Sequence, residues 1–340
     1  MRTRCDSFVV KTNIHFPTDI NLLYDAIRKA IELTASLFEV HDKTAWRQKA
    51  YNIRGIKKAY RLVQKTKRST SKNEAKKLLR DELIVKAHQD YLDSASAHVV
   101  KVEQSLAHLM AEDKISLSTT DHLKINEIKN FISHAKRQVD QTTRRVILQE
   151  KIPHDEKVFS IFQPHTEWIS KGKAGVPVEF GLRVCIIEDQ DQFILYHKIA
   201  QKQTDDKLAI PMIDETKQRF QNLTSCSFDK GFYTKENHEQ LNQRLELSVL
   251  PKKGKLSKKD QEAQNDKDFV KQRHQHSAVE SAINALQVHG LDKCCDHGID
   301  GFERYVALAV VARNIQRLGA ILIKNEKCLL RKRHKLKKAA

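Results

Sequence analysis

Apolar and polar positions alternate in two different ways along this chain. From residue 3 to 14 the run Thr-Arg-Cys-Asp-Ser-Phe-Val-Val-Lys-Thr-Asn-Ile is rich in β-branched residues and reads as one extended strand containing Asp6. A Pro17–Thr18–Asp19 turn follows, with Thr18 or Asp19 placed to cap a helix. Between about 20 and 150 the period becomes helical. Leu22, Leu23, Ile27 and Ile31 recur at helical spacing, and Leu62, Leu78, Leu83, Leu92, Leu106, Leu109, Ile125, Ile128 and Ile132 carry the pattern onward. Gly55 is the only glycine in that stretch and proline is absent from it. The pattern predicts several antiparallel helices, as a bundle or a coiled-coil hairpin, with breaks near Ser69–Ser71 and Ser116–Thr120.

From Pro153 the texture is mixed. Val178–Ile187 and Gln192–Ile199 flank a polar stretch and predict a β-hairpin, with Val178, Phe180, Leu182, Val184 and Ile186 on one face. Then come a helix over Lys207–Phe220, a strand over Ser225–Phe228 ending at Asp229, a helix over Thr234–Leu245 and a strand over Leu247–Leu250. A basic loop spans Lys252–Lys259. A helix from about Asp266 to Val288 carries Glu280, and a last apolar helix covers Phe302–Ile323. The tail Arg331–Lys338 is basic and is expected to be disordered and drawn to phosphates.

With the helical block set aside, the order is strand, hairpin, helix, strand, helix, strand, helix. That is the order of an α/β, ribonuclease H-like fold: three antiparallel strands, then strands reached by helical crossovers, in a mixed sheet flanked by helices. The expected division is 1–19 for the first catalytic strand, 20–152 for a large all-helical insertion, 153–324 for the rest of the catalytic domain and 325–340 for the tail.

Charge narrows the partners. The 340 residues include 61 Lys+Arg against 43 Asp+Glu, a formal net charge of +18. Such a surplus neutralises phosphates and releases counterions, so nucleic acid is the first partner to consider. The run Lys57, Lys58, Arg61, Lys65, Lys67, Arg68 either lies on DNA or is a solvated helix face. Six cysteines without a C-x-x-C pair suit a reducing cytoplasm. No stretch approaches ~18 consecutive apolar residues, so no membrane span is expected.

Three acids fall at telling places: Asp6 within the first strand, Asp229 at the end of a later strand, Glu280 on a late helix. An acid in an apolar strand needs a reason, because an unpaired buried carboxylate is costly. Carboxylates converging from separate elements suit Mg²⁺ or Mn²⁺, hard ions that prefer oxygen ligands. Two such ions can activate an attacking hydroxyl and stabilise the leaving oxygen of a phosphodiester.

Local sequence sharpens this. Asp6-Ser-Phe-Val-Val-Lys-Thr-Asn-Ile-His-Phe-Pro-Thr-Asp19 resembles the first-Asp motif of bacterial insertion-sequence DDE transposases of the ISNCY type. Ser225-Cys-Ser-Phe-Asp229-Lys-Gly-Phe-Tyr-Thr-Lys-Glu-Asn237 resembles their second-Asp motif, and Arg273-His-Gln-His-Ser-Ala-Val-Glu280-Ser-Ala-Ile-Asn284 their Glu-bearing helix. His289-Gly-Leu-Asp-Lys and Gly301-Phe-Glu-Arg-Tyr-Val-Ala-Leu308 continue the likeness. The resemblance implies a ribonuclease H-like catalytic domain in which Asp6, Asp229 and Glu280 hold two divalent ions. It also implies a double-stranded DNA substrate (transposon ends and target), a homodimer when active, and a place in the bacterial cytoplasm at the nucleoid. Lys230, Lys252, Lys253, Lys255, Arg273 and His276 are the candidate DNA contacts.

Two departures qualify the resemblance. Related groups carry a Tyr, Arg, Glu, Lys signature around the last acid, whereas Arg273, His276 and Gln287 hold the flanking places here, and the Lys contact is missing. The family also has a helical region before the first strand, while Met1 lies only five residues before Asp6. The chain therefore reads as N-terminally truncated, and the runner-up function is a catalytically silent DNA-binding regulator of transposition. A general nuclease of the same fold is a third reading.

Other constellations carry less. No H-E-x-x-H or zinc-finger spacing occurs, and His289, Cys294, Cys295 and His297 read as ordinary loop packing. Lys171-Gly-Lys-Ala-Gly175 is not a Walker motif, so no nucleotide cofactor is expected. Asp205, Asp206 and Asp214 are acids that could compete with Asp6 as ligands, although Asp205 and Asp206 read first as helix caps, and Trp168 reads as a loop anchor rather than a base-stacking platform.

Overall fold

The computed structural model describes residues 1–112, 115–170 and 177–339, the side chains of Lys259 and of 332–339 apart. The chain divides into two compact units, one of Met1–Ile14 with His165–Ala340 and one of His15–Pro164. The Gly-Lys segment at 171–175 lies outside the described residues.

The second unit is helical. Its helices are α1 (Asp19–Val40), α2 (Lys49–Lys65), α3 (Glu74–Met110) and α4 (Thr119–Thr142). Each start has a local cause. Thr18 accepts from the Asn21 N–H, Asn73 accepts from Lys76, and Ser118 with Asp121 forms a capping box, so orphan N–H groups of three helices are satisfied. Leu23, Ile27 and Ile31 of α1 are fully buried against Ile125 and Ile128 of α4 and Tyr91 of α3. Trp46 sits in the α1–α2 connection, a break that periodicity did not mark. Its ring is buried, its indole N–H donates to Ser105 Oγ at 3.1 Å, and the Lys101 ammonium lies 4.6 Å from the ring centroid. The unit extends past residue 152 because Val158 and Ile161 join its core.

The first unit is built on a seven-stranded sheet. Its strands are β1 (Arg2–Thr12), β2 (Glu167–Ser170), β3 (Val178–Asp189), β4 (Ile194–Ala200), β5 (Ser225–Phe228), β6 (Leu247–Val249) and β7 (Lys293–Cys294). β3 runs antiparallel to β1, and β2 and β4 pair antiparallel with different parts of β3. On the other side of β1, β5 runs parallel to it and β6 parallel to β5. β1 is thus the pivot between the antiparallel and parallel halves. Gly181 is required where β3 meets β1 most closely, since a Cβ there would stand 2.1 Å from the Val10 carbonyl oxygen.

Helices cover both faces, and the pleat sorts the side chains between them. Cys5, Cys185, Ile187, Cys226 and Phe228 share one core with Leu208, Met212 and Leu241 of α5 (Asp205–Arg219) and α6 (Lys235–Arg244). Phe8, Val10, Leu182, Val184 and Ile186 share the other with α9 (Ala278–Leu286) and α10 (Gly298–Ala339), through Val279, Ala282, Leu286, Phe302, Val306 and Val310. The expected helix over 266–288 is broken: α8 (Lys267–His276) ends at Ser277, whose hydroxyl donates to the His274 carbonyl at 3.1 Å. That bond offers the backbone an alternative to the regular ladder. The basic loop contains a helix, α7 (Lys258–Gln264), started by a Ser257–Asp260 capping box.

α10 corrects one expectation. It continues as helix through the tail that was expected to be disordered. Its Gly298–Arg331 part is also long and apolar enough to cross a membrane by length and composition, although polar residues interrupt the apolar run.

Candidate active site

The strand pairing brings the first two acids together. Cys5 of β1 is in register with Phe228 of β5, so Asp6 and Asp229 are the next residues on two adjacent parallel strands. Cys5 and Phe228 point into the core under α5 and α6. Alternation then turns Asp6 and Asp229 toward the opposite face, where α9 packs and presents Glu280.

Electrostatics reports the same neighbourhood. Burial pushes the Asp6 carboxyl up from 3.8 to about 7. The Ser7 N–H, which donates to Asp6 Oδ1 at 2.7 Å, opposes that rise, and the negative charges of Asp229, Asp205 and Glu280 add to it. Asp229 and Glu280 are exposed, while Asp6 is half-buried. The first strand's acid therefore sits dry among like charges.

Asp205 is the member that sequence reasoning assigned otherwise. Thr204, not Asp205, holds the cap position of α5. The Asp205 carboxylate instead accepts from Ser7 Oγ at 2.6 Å and from the Arg183 guanidinium at 3.0 Å. A Cβ on Gly231, in the turn after Asp229, would stand 3.0 Å from Asp205 Oδ2, so the acid abuts that turn. Asp214, another acid weighed beside it, pairs with Arg244 at 2.7 Å.

His276 faces inward. Its Nδ1 lies 3.0 Å from Ser227 Oγ on β5, and burial holds the imidazole below its ordinary value against the pull of Asp229 and Glu280. It is half-buried, with Ser227 as its hydrogen-bond partner. Arg273, on the same helix, is exposed. Lys230 is exposed in the short turn Lys230–Phe232 directly after Asp229. Lys253 donates to the Gly231 carbonyl at 3.0 Å and so ties the basic loop to that turn, and Lys255 is exposed. Lys252 is engaged with Asp260 at 2.6 Å, a bond that raises its ammonium above the ordinary range. That pairing gives Lys252 an acidic partner within the basic loop. Trp168 is likewise no core anchor: it stands 41 % exposed on β2, edge-on to its cross-strand neighbour Phe180 with centroids 5.4 Å apart.

The donor chemistry of the acids suits a hard divalent cation, since the charges of Asp229, Asp205 and Glu280 act on Asp6 and, among the described residues, Asp205 alone of the four is paired with a strong cation, Arg183. They are not drawn into a closed cage: among the described residues, no three Asp, Glu, His or Cys side chains form a ready-made metal-binding group. That holds for His289, Cys294, Cys295 and His297 too. All six cysteines are free thiols.

A mixed sheet whose first strand and neighbouring parallel strand each present an acid, with a third acid on a helix behind them, defines an α/β domain with a carboxylate site. Residues 147–315 match the family described as the transposase DDE domain. The match supports a DDE-type transposase and implies a ribonuclease H-like fold for this unit. It includes Asp229 and Glu280, while Asp6 lies outside the matched stretch. No curated protein and no solved structure matches the chain.

Proposed function

We propose that this chain catalyses metal-dependent cleavage and strand transfer at the ends of an insertion-sequence element in the bacterial cytoplasm, at the nucleoid. The observation that carries the proposal is the parallel pairing that sets Asp6 beside Asp229, with Glu280 close enough to help raise the Asp6 carboxyl. Asp6, Asp229 and Glu280 would hold the two Mg²⁺ or Mn²⁺ ions. When bound, such ions lower the pKa of an attacking water or 3′-hydroxyl and stabilise the leaving oxygen.

The chain's own residues do the rest. Ser7 and Arg183 hold Asp205 against the Asp229–Gly231 turn, and Lys253 fixes the basic loop beside it. Lys230, Lys255 and Arg273 supply exposed cations for the strand whose phosphate enters the site. In the helical unit, Lys57, Lys58, Arg61 and Lys65 are exposed on α2 and offer a second stripe for the duplex. Transfer to both ends of an element calls for two subunits.

The test is calorimetric binding of Mn²⁺ to the intact chain and to Asp229→Ala and Glu280→Ala, followed by cleavage and joining assays on element-end DNA. Binding lost in both variants, with joined product from the intact chain, is the expected result. Cutting without joining makes the protein a nuclease. Absence of metal binding even with DNA overturns the catalytic reading in favour of a silent DNA-binding regulator.

A further inference from the structure

α10 has two faces of different character. The inner one, Phe302, Val306 and Val310, is buried in the core beside α9. Further along, Asn314 clamps the helix to β4: its amide donates to the Ile194 carbonyl and accepts from the Ile194 N–H, both at 2.9 Å. Arg317 donates to the Asp191 carbonyl at 2.8 Å. These anchors fix which side of the helix faces outward.

The outward side is apolar. Leu308 (63 % exposed), Val311 (54 %), Ile315 (64 %), Leu318 (49 %), Leu322 (59 %) and Leu329 (59 %) lie open on it. Their spacings are three, four, three, four and then seven, the a/d repeat of a coiled coil. Asn325 occupies the position that completes the last interval, and it too is exposed. Beyond Asn314 no described residue of the helix is buried. A solvated helix of that length gains little stability by itself, so its apolar stripe calls for a partner.

We infer that this seam pairs with the same seam of a second copy, as a parallel two-stranded coiled coil. The period selects the partner. A narrow stripe repeating every 3.5 residues is complementary to another such stripe, and Leu308–Leu329 carries it through three consecutive heptads. A lipid core would instead have to take up Arg313, Gln316 and Arg317, which lie within the same stretch. Asn325 selects the orientation. In parallel register its amide meets its own copy and both can hydrogen-bond, whereas antiparallel pairing would set it against apolar residues near Val311. The inference gives a surface to the two-subunit element of the proposed function, but it stands on α10 alone.

The experiment is light-scattering mass measurement on the full chain, on Ile315→Glu/Leu318→Glu, and on Asn325→Cys in a chain also carrying Cys295→Ser and Cys328→Ser. The parent should show twice the mass of one 39.3 kDa chain. The double variant should halve that mass while keeping its circular dichroism and its Mn²⁺ binding, and the cysteine variant should form a disulfide-linked dimer on mild oxidation. A parent that stays monomeric, a double variant that still dimerises, or a wild-type chain that floats with neutral phospholipid vesicles each overturns the inference. Loss of strand transfer with pairing intact counts against the transposase reading and leaves this one standing. A monomer that still cuts and joins DNA does the reverse.

Discussion

Replacing Asp6 with Asn should stabilise the protein in the absence of metal, and the gain should grow with pH. The Asp6 carboxyl rises from 3.8 to about 7 on folding, through burial and three neighbouring acids. Below pH 4 it is protonated in both folded and unfolded chains and contributes nothing. As pH rises from 4 to 7 the unfolded chain releases its proton while the folded chain keeps it, so stability falls across that window and levels off above it. At ~1.36 kcal/mol per unit, a rise of roughly three units amounts to about 4 kcal/mol above pH 7, a ceiling because water can relax around a half-buried group. Asn keeps the shape and can still accept from the Ser7 N–H, but has no charge to desolvate. Urea unfolding of both proteins in EDTA at pH 5, 6, 7 and 8 reads the difference directly. Asp6→Asn should pull ahead steadily to pH 7 and hold its lead at pH 8. Excess Mg²⁺ should then recover the lost stability for Asp6 and not for Asn. Equal pH profiles for the two proteins would refute the argument that Asp6 is held dry among like charges.

Glu280→Gln should lower the Asp6 titration midpoint by removing one of the charges that raise it, read by carboxyl NMR shifts; an unchanged midpoint would separate α9 from the strand acids. Gly181→Ala should cost about 3 kcal/mol or more in chemical denaturation, since its Cβ meets the Val10 carbonyl at 2.1 Å and the backbone of β1 cannot give way cheaply. Trp46→Ala should cost about 3–5 kcal/mol in the helical unit, seen as an earlier helical transition by circular dichroism. Asn314→Ala leaves two backbone groups of β4 without their partner and should cost about 1–3 kcal/mol, with faster hydrogen exchange at Ile194.

Local chemistry explains what could be read in advance. The hairpin β3–β4, the four-residue β5 and the helices α5 and α6 were legible because each has a clean period bounded by turn residues. The acids Asp6 and Asp229 were legible because a carboxylate within or ending an apolar strand contradicts its surroundings. Asp205 was not, since an acid at the start of a helix has an ordinary reason to be there, and only the fold reveals Ser7 and Arg183 as its partners. The partners of His276 and Lys252 were not legible for the same reason: basic residues near a motif look available until Ser227 and Asp260 are seen beside them. The break at Ser277 depends on one side-chain bond to the backbone, which no hydrophobic period records. In α10 the sequence reading looked for an unbroken apolar run and so passed over a stripe.

The placement of β1 sets a problem of timing during synthesis. It leaves the ribosome well before its edge partners, since Cys5 meets Cys185, 180 residues further on. At a synthesis rate of ~5–20 residues per second, the strand waits roughly 10–35 s with both edges unpaired and Phe8, Val9 and Val10 uncovered. The helical unit is made in that interval, with a core of its own, and it can fold while the strand is still waiting. The nascent chain then holds a finished bundle joined to a bare strand, a period in which chaperone capture or pairing with a neighbouring nascent chain competes with the arrival of β3.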